Sequence, residues 1–291
     1  MNKFFKFIAL ITVFILVTLV ALDVLYTKIY ENNVVSNKVK YLMSLKDTHV
    51  DALFLGSSRV DNHIVSSEFR KKGLNIVNAG IQGISLKDNF LFLKILTKNK
   101  VTFDKLFVQI DYVYNQSDLS QTSYTELLPY FRKPVISDFF KEEFMDYNKY
   151  YYLPFYRYAV NDYRIGFRGI IAGLFSDKRV NGVFNDYNPL YGTSIMSSYR
   201  LPTKLTDNPK AFNKIKSFCE EHRIEVVYFT APFCSKLKPS PFTKLLATKI
   251  PSYSDYSTLY KNDSLFQNCG HLNNQGAIKF TNKLISDYFV K

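Results

Sequence analysis

Cysteine and histidine are scarce in this chain of 291 residues: three cysteines, Cys219, Cys234 and Cys269, and four histidines. So few thiols exclude a disulfide framework and leave room for at most one bridge. No Cys-x-x-Cys pair or Cys/His zinc spacing occurs, and no two histidines stand at ligand spacing. The sequence therefore predicts no metal and no cofactor. Acidic residues are also outnumbered, 25 against 38 lysines and arginines, for a formal charge of +13. Such a balance favours anionic polymers, anionic headgroups or nucleic acid. Nucleic acid is not expected as a partner, because the lysines are scattered rather than striped and the tyrosines and phenylalanines form no ribonucleoprotein-like pattern.

Charge is absent from Phe7 to Leu22, and Val24, Leu25 and Tyr26 carry the apolar stretch past Asp23. The total is about 20 residues, the length that crosses a bilayer as a helix. Lys3 and Lys6 precede it, whereas Asp23, Lys28 and Glu31 follow. By the positive-inside rule the amino terminus is cytoplasmic and the remainder extracytoplasmic. A cleaved signal peptide competes with this reading, but Ala21-Leu22-Asp23 is a poor cleavage site and the run exceeds the usual signal core. The expectation is a single-pass anchor over residues 1–27 and a juxtamembrane linker or helix over 28–49. One domain over 50–291 then follows, ample for a full core.

Within that domain a short apolar run, Val50 to Leu55, breaks abruptly into Gly56-Ser57-Ser58-Arg59. A buried strand ending in glycine and small hydroxyl residues presents a serine at a sheet edge, which makes Ser58 a candidate nucleophile; the same residues are also ordinary turn formers. A helix-like stretch runs on through Phe69 and closes at Lys71-Lys72-Gly73. A second strand, Leu74 to Val77, leads into Asn78-Ala79-Gly80-Ile81-Gln82-Gly83, and Ser85 followed by Asp88 reads as a helix N-cap. Leu106 to Ile110 is a third strand, ending at Asp111. This rhythm predicts right-handed βαβ units whose sites lie at the carboxyl ends of the strands, where Ser58, Gly83 and Asp111 fall.

Residues 112–205 depart from the rhythm. They are crowded with aromatics (Tyr150, Tyr151, Tyr152, Phe155, Tyr156, Tyr158, Tyr163, Phe167) interleaved with Arg157, Arg164 and Arg168. One reading is a groove for sugars and anionic groups; the other is a helical subdomain whose aromatics are core. The parallel pattern resumes with a helix over Pro209 to His222, a strand over Ile224 to Thr230, a helix over Phe242 to Thr248, a short strand near Tyr253 to Ser257 and a carboxy-terminal helix through Phe289. The predicted class is α/β, a three-layer α/β/α arrangement on a mostly parallel five-stranded, flavodoxin-like sheet. To it are added the transmembrane helix and a mainly helical, aromatic-rich insert.

Ser58 needs a base. His49 and His222 precede strands, at the wrong edge, and His63 lies about one turn along Ser58's own helix, pointing past the hydroxyl. His271 stands in a loop before the last helix, at the right edge. Taken in order, Gly56-Ser57-Ser58-Arg59, Asn78-x-Gly80-x-x-Gly83 and Asn268-x-x-His271-Leu272-Asn273-x-x-Gly276 resemble the SGNH (GDSL-like) hydrolase superfamily, and in particular its membrane-anchored branch associated with acyl modification of extracellular polysaccharides. The resemblance covers roughly residues 50–111 and 209–290. It implies Ser58 as nucleophile, His271 as base, and the Ser58 and Gly83 amides as oxyanion donors. Asn115 is a weak match to the side-chain oxyanion donor, and Arg59 is expected at the substrate.

Two departures are visible. Ser57 replaces an aspartate, and Asn268 stands where the family has the aspartate that orients the histidine. An amide carbonyl can hold Nδ1–H but brings no charge, a loss worth up to about 10⁴-fold in serine systems. Asp263 or Asp111 could substitute. Cys234 and Cys269 should lie at one edge, either bridged or as buried thiols. The expected function is a membrane-tethered serine esterase or acyl transferase, acetyl being the expected group, acting on a cell-surface glycan or its acyl ester, with a membrane-bound acyltransferase as a possible partner. The alternative is a catalytically degenerate domain that binds glycan or that partner.

Overall fold

The computed structural model describes residues 2–32, 38–143, 146–161, 171, 187–194 and 196–290. Tyr163, Arg164, Phe167 and Arg168 lie outside the described residues. The chain divides into two compact units, one comprising Met1–Lys40 and Ser123–Val183, the other Tyr41–Thr122 and Phe184–Lys291. The insert expected over 112–205 is thus shared between them.

The second unit is built on five parallel strands: β1 (His49–Leu55), β2 (Ile76–Asn78), β3 (Thr102–Gln109), β4 (Val226–Thr230) and β5 (Tyr253–Asp255), in the order β2-β1-β3-β4-β5. The interior strand β1, between β2 and β3, is buried from Ala52 to Leu55. That explains its unbroken apolar run, since a strand covered on both faces has no polar side to alternate with. Leu53 pairs with Val77 on one flank and Leu106 on the other. Phe54 stacks on Phe107 at 4.5 Å.

The connections follow local chemistry. The helix Leu86–Lys98 starts in a capping box, with the Ser85 side chain accepting the Asp88 N–H while the Asp88 carboxylate accepts the Ser85 N–H at 2.7 Å. The last helix, Asn274–Tyr288, buries Ala277, Phe280, Leu284 and Ile285 in the cluster that holds Phe54, Phe107 and Phe229.

The stretch after Ser58 differs from the single helix expected. It forms two short helices, Ser58–Asp61 and Ser66–Arg70. The break has a cause distant in sequence. Asn78 donates its side-chain amide to the carbonyls of Val60 (3.0 Å) and Ile64 (2.8 Å), and the Val65 N–H goes to Thr281 Oγ1 at 2.9 Å, so the backbone groups of the break are satisfied from elsewhere. Two small sheets complete the unit. Tyr199–Arg200 pairs parallel with Leu237–Lys238, and Phe266–Asn268 pairs antiparallel with His271–Leu272, so His271 stands on a hairpin rather than in a plain loop.

In the first unit the helix Asn2–Asn32 is long and apolar enough to cross a membrane. Its large apolar side chains are bare over most of the run, Phe14 being 72 % exposed. The short helices Pro134–Glu143, Tyr147–Tyr152 and Tyr156–Ala159 belong to the same unit. Phe131, Phe140 and Tyr150 are buried there, with Phe131 lying 5.1 Å from Phe140 and 5.8 Å from Tyr150. Those aromatics are packing.

Candidate functional site: a serine, a histidine and an asparagine

The end of β1 sets the site. A side chain on Gly56 would strike Val60 and Gln109, which makes glycine obligatory where the strand turns into the helix. Ser57 is the N-cap of that helix. Its N–H and its hydroxyl both donate to Gln109 Oε1 at 2.9 Å, and Gln109 Nε2 donates to Asp111 at 2.6 Å. Gln109 is the last residue of β3, so one buried amide locks the ends of β1 and β3 together. Ser58, the first helical residue, is thereby held at the carboxyl edge of the sheet.

Ser58 Oγ lies 2.8 Å from His271 Nε2, and His271 Nδ1 lies 3.0 Å from Asn268 Oδ1. The orientation of the Asn268 amide is fixed by two other bonds: its Nδ2 donates to Gln267 Oε1 at 2.7 Å, and its Oδ1 also accepts the Gly270 N–H at 3.0 Å. An amide oxygen only accepts, so Nδ1 of His271 carries the proton and Nε2 is left to accept from the Ser58 hydroxyl. Burial, helped by the Arg59 charge, lowers the His271 pKa to about 4 and keeps the ring neutral. Neither alternative acid takes the place of Asn268. Asp263 accepts from the Ser235 N–H and hydroxyl, and Asp111 is engaged by Gln109, the Val113 N–H and, at 3.4 Å, Arg59.

His271 is braced from behind. Cys234 and Cys269 form a disulfide, and beside it the Cys234 N–H donates to the Cys269 carbonyl at 3.1 Å. The buried His63 accepts the Leu272 N–H on its Nε2 at 3.0 Å, its ring edge-on to that of His271 at 6.0 Å. Burial holds the His63 pKa well below the usual range, with the Arg59 and His271 charges acting in the same direction. It therefore supports the His271 hairpin as a neutral acceptor.

Arg59 turns inward instead of toward a substrate. It is buried, donates to the carbonyls of Ala231 and Pro232, and lies 3.5 Å over the Phe233 ring. Phe233 stacks in turn on Tyr199 at 4.9 Å. The expected substrate contact is replaced by a tie between the Ser58 helix and the end of β4.

Gly80 packs where a side chain would meet the Asp61 backbone nitrogen at 2.3 Å, so the 80–83 loop lies against the Ser58 helix. Gly83 has φ +75°, a conformation suited to glycine. Among the described residues, neither the Ser58 nor the Gly83 backbone N–H donates a hydrogen bond. Asn115 donates to the Lys204 carbonyl and accepts the Thr206 N–H, both at 2.9 Å. With Gly83, Ser85, Asp118 and Gln121 it also lines a cavity of about 540 Å³.

A strap from residues 187–194 crosses both halves of the site. At one end the Asn188 N–H donates to the Asp61 carbonyl (3.0 Å), and Asn62 donates to the Asn188 carbonyl (2.8 Å). At the other end the Asn274 N–H donates to the Leu190 carbonyl (2.7 Å), and the Ser194 N–H and hydroxyl donate to the Gln267 carbonyl (2.7 Å each). Gln109, His63 as a brace and this strap are absent from the sequence reading. The only local signal for Gln109 was its place as the one polar residue in the run Leu106 to Ile110. No family model matches the chain, and no curated protein matches it significantly.

Proposed function

We propose that the chain is a membrane-tethered serine esterase or acyl transferase of SGNH (GDSL-like) type, acting on acyl groups, acetyl foremost, of a cell-surface polysaccharide. The observation that carries this reading is the relay from Ser58 through His271 to Asn268, at 2.8 and 3.0 Å. In this reading the strand order 2-1-3-4-5 belongs to a flavodoxin-like α/β/α domain. The Ser58 oxygen attacks an ester carbonyl and passes its proton to Nε2 of His271. The Ser58 and Gly83 N–H groups receive the oxyanion. His271 returns the proton to the departing sugar oxygen, leaving an acyl-Ser58. Water or a second sugar hydroxyl, deprotonated by His271, then takes the acyl group. The cavity beside Gly83, polar in its lining, suits the hydroxyl-rich part of such a substrate.

Asn268 favours a second reading, a binding module with an unactivated serine. A fluorophosphonate probe separates the two, because it reacts only with an activated hydroxyl. Labelling of the wild-type protein that disappears in Ser58→Ala supports the enzyme. An unlabelled wild type that still binds acetylated glycan identifies the module.

A further inference from the structure

Asp23 ends the uncharged run of the long helix, yet it is 2 % exposed. Its carboxylate accepts from Arg157 (2.8 Å), Arg132 (3.2 Å) and the Phe155 N–H (2.8 Å). Arg132 also donates to the Tyr151 carbonyl, and Tyr26 meets the Phe155 ring edge-on at 4.9 Å. The segment Tyr151 to Phe155 therefore lies level with Asp23 along the helix. At 1.5 Å per residue the apolar stretch from Phe7 to Tyr26 spans about 30 Å, the thickness of a bilayer's hydrocarbon core. A paired acid in the last turn of such a stretch sits at the boundary with the headgroups. At that same level Tyr152 is 69 % and Leu153 49 % exposed.

We propose that Tyr152 and Leu153 are seated in the interfacial layer of the phospholipid bilayer, a second membrane contact beside the span itself. The surface is continuous with the helix that enters the lipid, which fixes the occupant as the bilayer. Tyrosine suits that layer, with its ring among acyl chains and its hydroxyl among headgroups. The contact would set the unit's rotation about the helix, which a lone span leaves open. The inference rests on the helix being inserted, and its test must separate the two claims.

The chain contains no tryptophan, so one introduced tryptophan reports alone. Tyr152→Trp, Leu153→Trp and Phe14→Trp, each in the full chain, are reconstituted in nanodiscs of phosphatidylcholine brominated near the headgroup, brominated near the chain end, or unbrominated. The expected result is loss of emission at 152 and 153 chiefly to the shallow bromines, and at 14 chiefly to the deep ones. Quenching at 14 with none at 152 and 153, or deep bromines dominating at those two positions, overturns the interfacial contact and leaves the anchor standing. No quenching at 14 overturns the anchor and the contact with it.

Discussion

Among single residues, Asn268 is where the proposed relay is most open to test. It supplies the acceptor that fixes the His271 tautomer, but no negative charge against an imidazolium. Asn268→Asp should therefore raise the His271 pKa and speed fluorophosphonate labelling by at least about tenfold, given the roughly 10⁴-fold cost of the reverse change in serine systems. The sign of the pH effect follows from the base. His271 must be neutral to accept a proton and titrates at about 4, so wild-type labelling should lose rate only as pH falls through that value. In Asn268→Asp the acid limb should move to higher pH. Rate–pH profiles of probe labelling check both statements, and an unmoved limb would detach Asn268 from the base. At this scale the sequence was informative about Ser58 and His271, which stand in short local motifs. It was silent about Gln109, whose partner Ser57 is 52 residues away, and it placed Arg59 at the substrate because a charge beside a candidate nucleophile gives no sign of which way it points.

Whole elements show why some of the fold was readable. β1 and the second half of β3 were legible because burial writes an apolar run, whereas the exposed or partly exposed Thr102–Lys105 carried no such signal; the helix after Ser85 was legible because its capping box is local. The break at residues 62–65 was not, because Asn78 and Thr281 decide it. The His271 hairpin is held by the strap, by His63 and by a disulfide whose cysteines are 35 residues apart. Closing a loop of that length stabilises by about 3–4 kcal/mol in the chain-entropy account. Cys234→Ser should lower the denaturation midpoint accordingly. It should also slow labelling of Ser58, since the bridge sits beside His271. Urea unfolding read by circular dichroism, with probe labelling in its absence, measures the two effects separately. Unchanged labelling would leave the strap and His63 as sufficient supports.

For the whole chain, the division into two units was only partly visible in sequence. The rhythm of strands stops near residue 112, but nothing local says that residues 123–183 join the amino-terminal helix in one compact body. Asp23 is where that union can be tested. Arg157 is 1 % exposed and Asp23 is its only anionic partner among the described residues. Asp23→Ala should therefore cost the first unit about 3–5 kcal/mol by stranding a buried cation. Thermal melts in nanodiscs followed by tyrosine circular dichroism should show the loss, while probe labelling of Ser58 in the second unit persists below the melt. Loss of labelling well below that temperature would show that the two units share their stability.

The Cys234–Cys269 bridge also bears on when the His271 hairpin is clamped, not only on how firmly the chain folds. Sulfhydryl groups pair where the surroundings accept their electrons, and a chain still in the reducing cytoplasm keeps both as thiols. In the proposed topology the histidine's hairpin gains that covalent tie only once the domain has left the cytoplasm, and until then its place beside Ser58 rests on the strap and His63 alone.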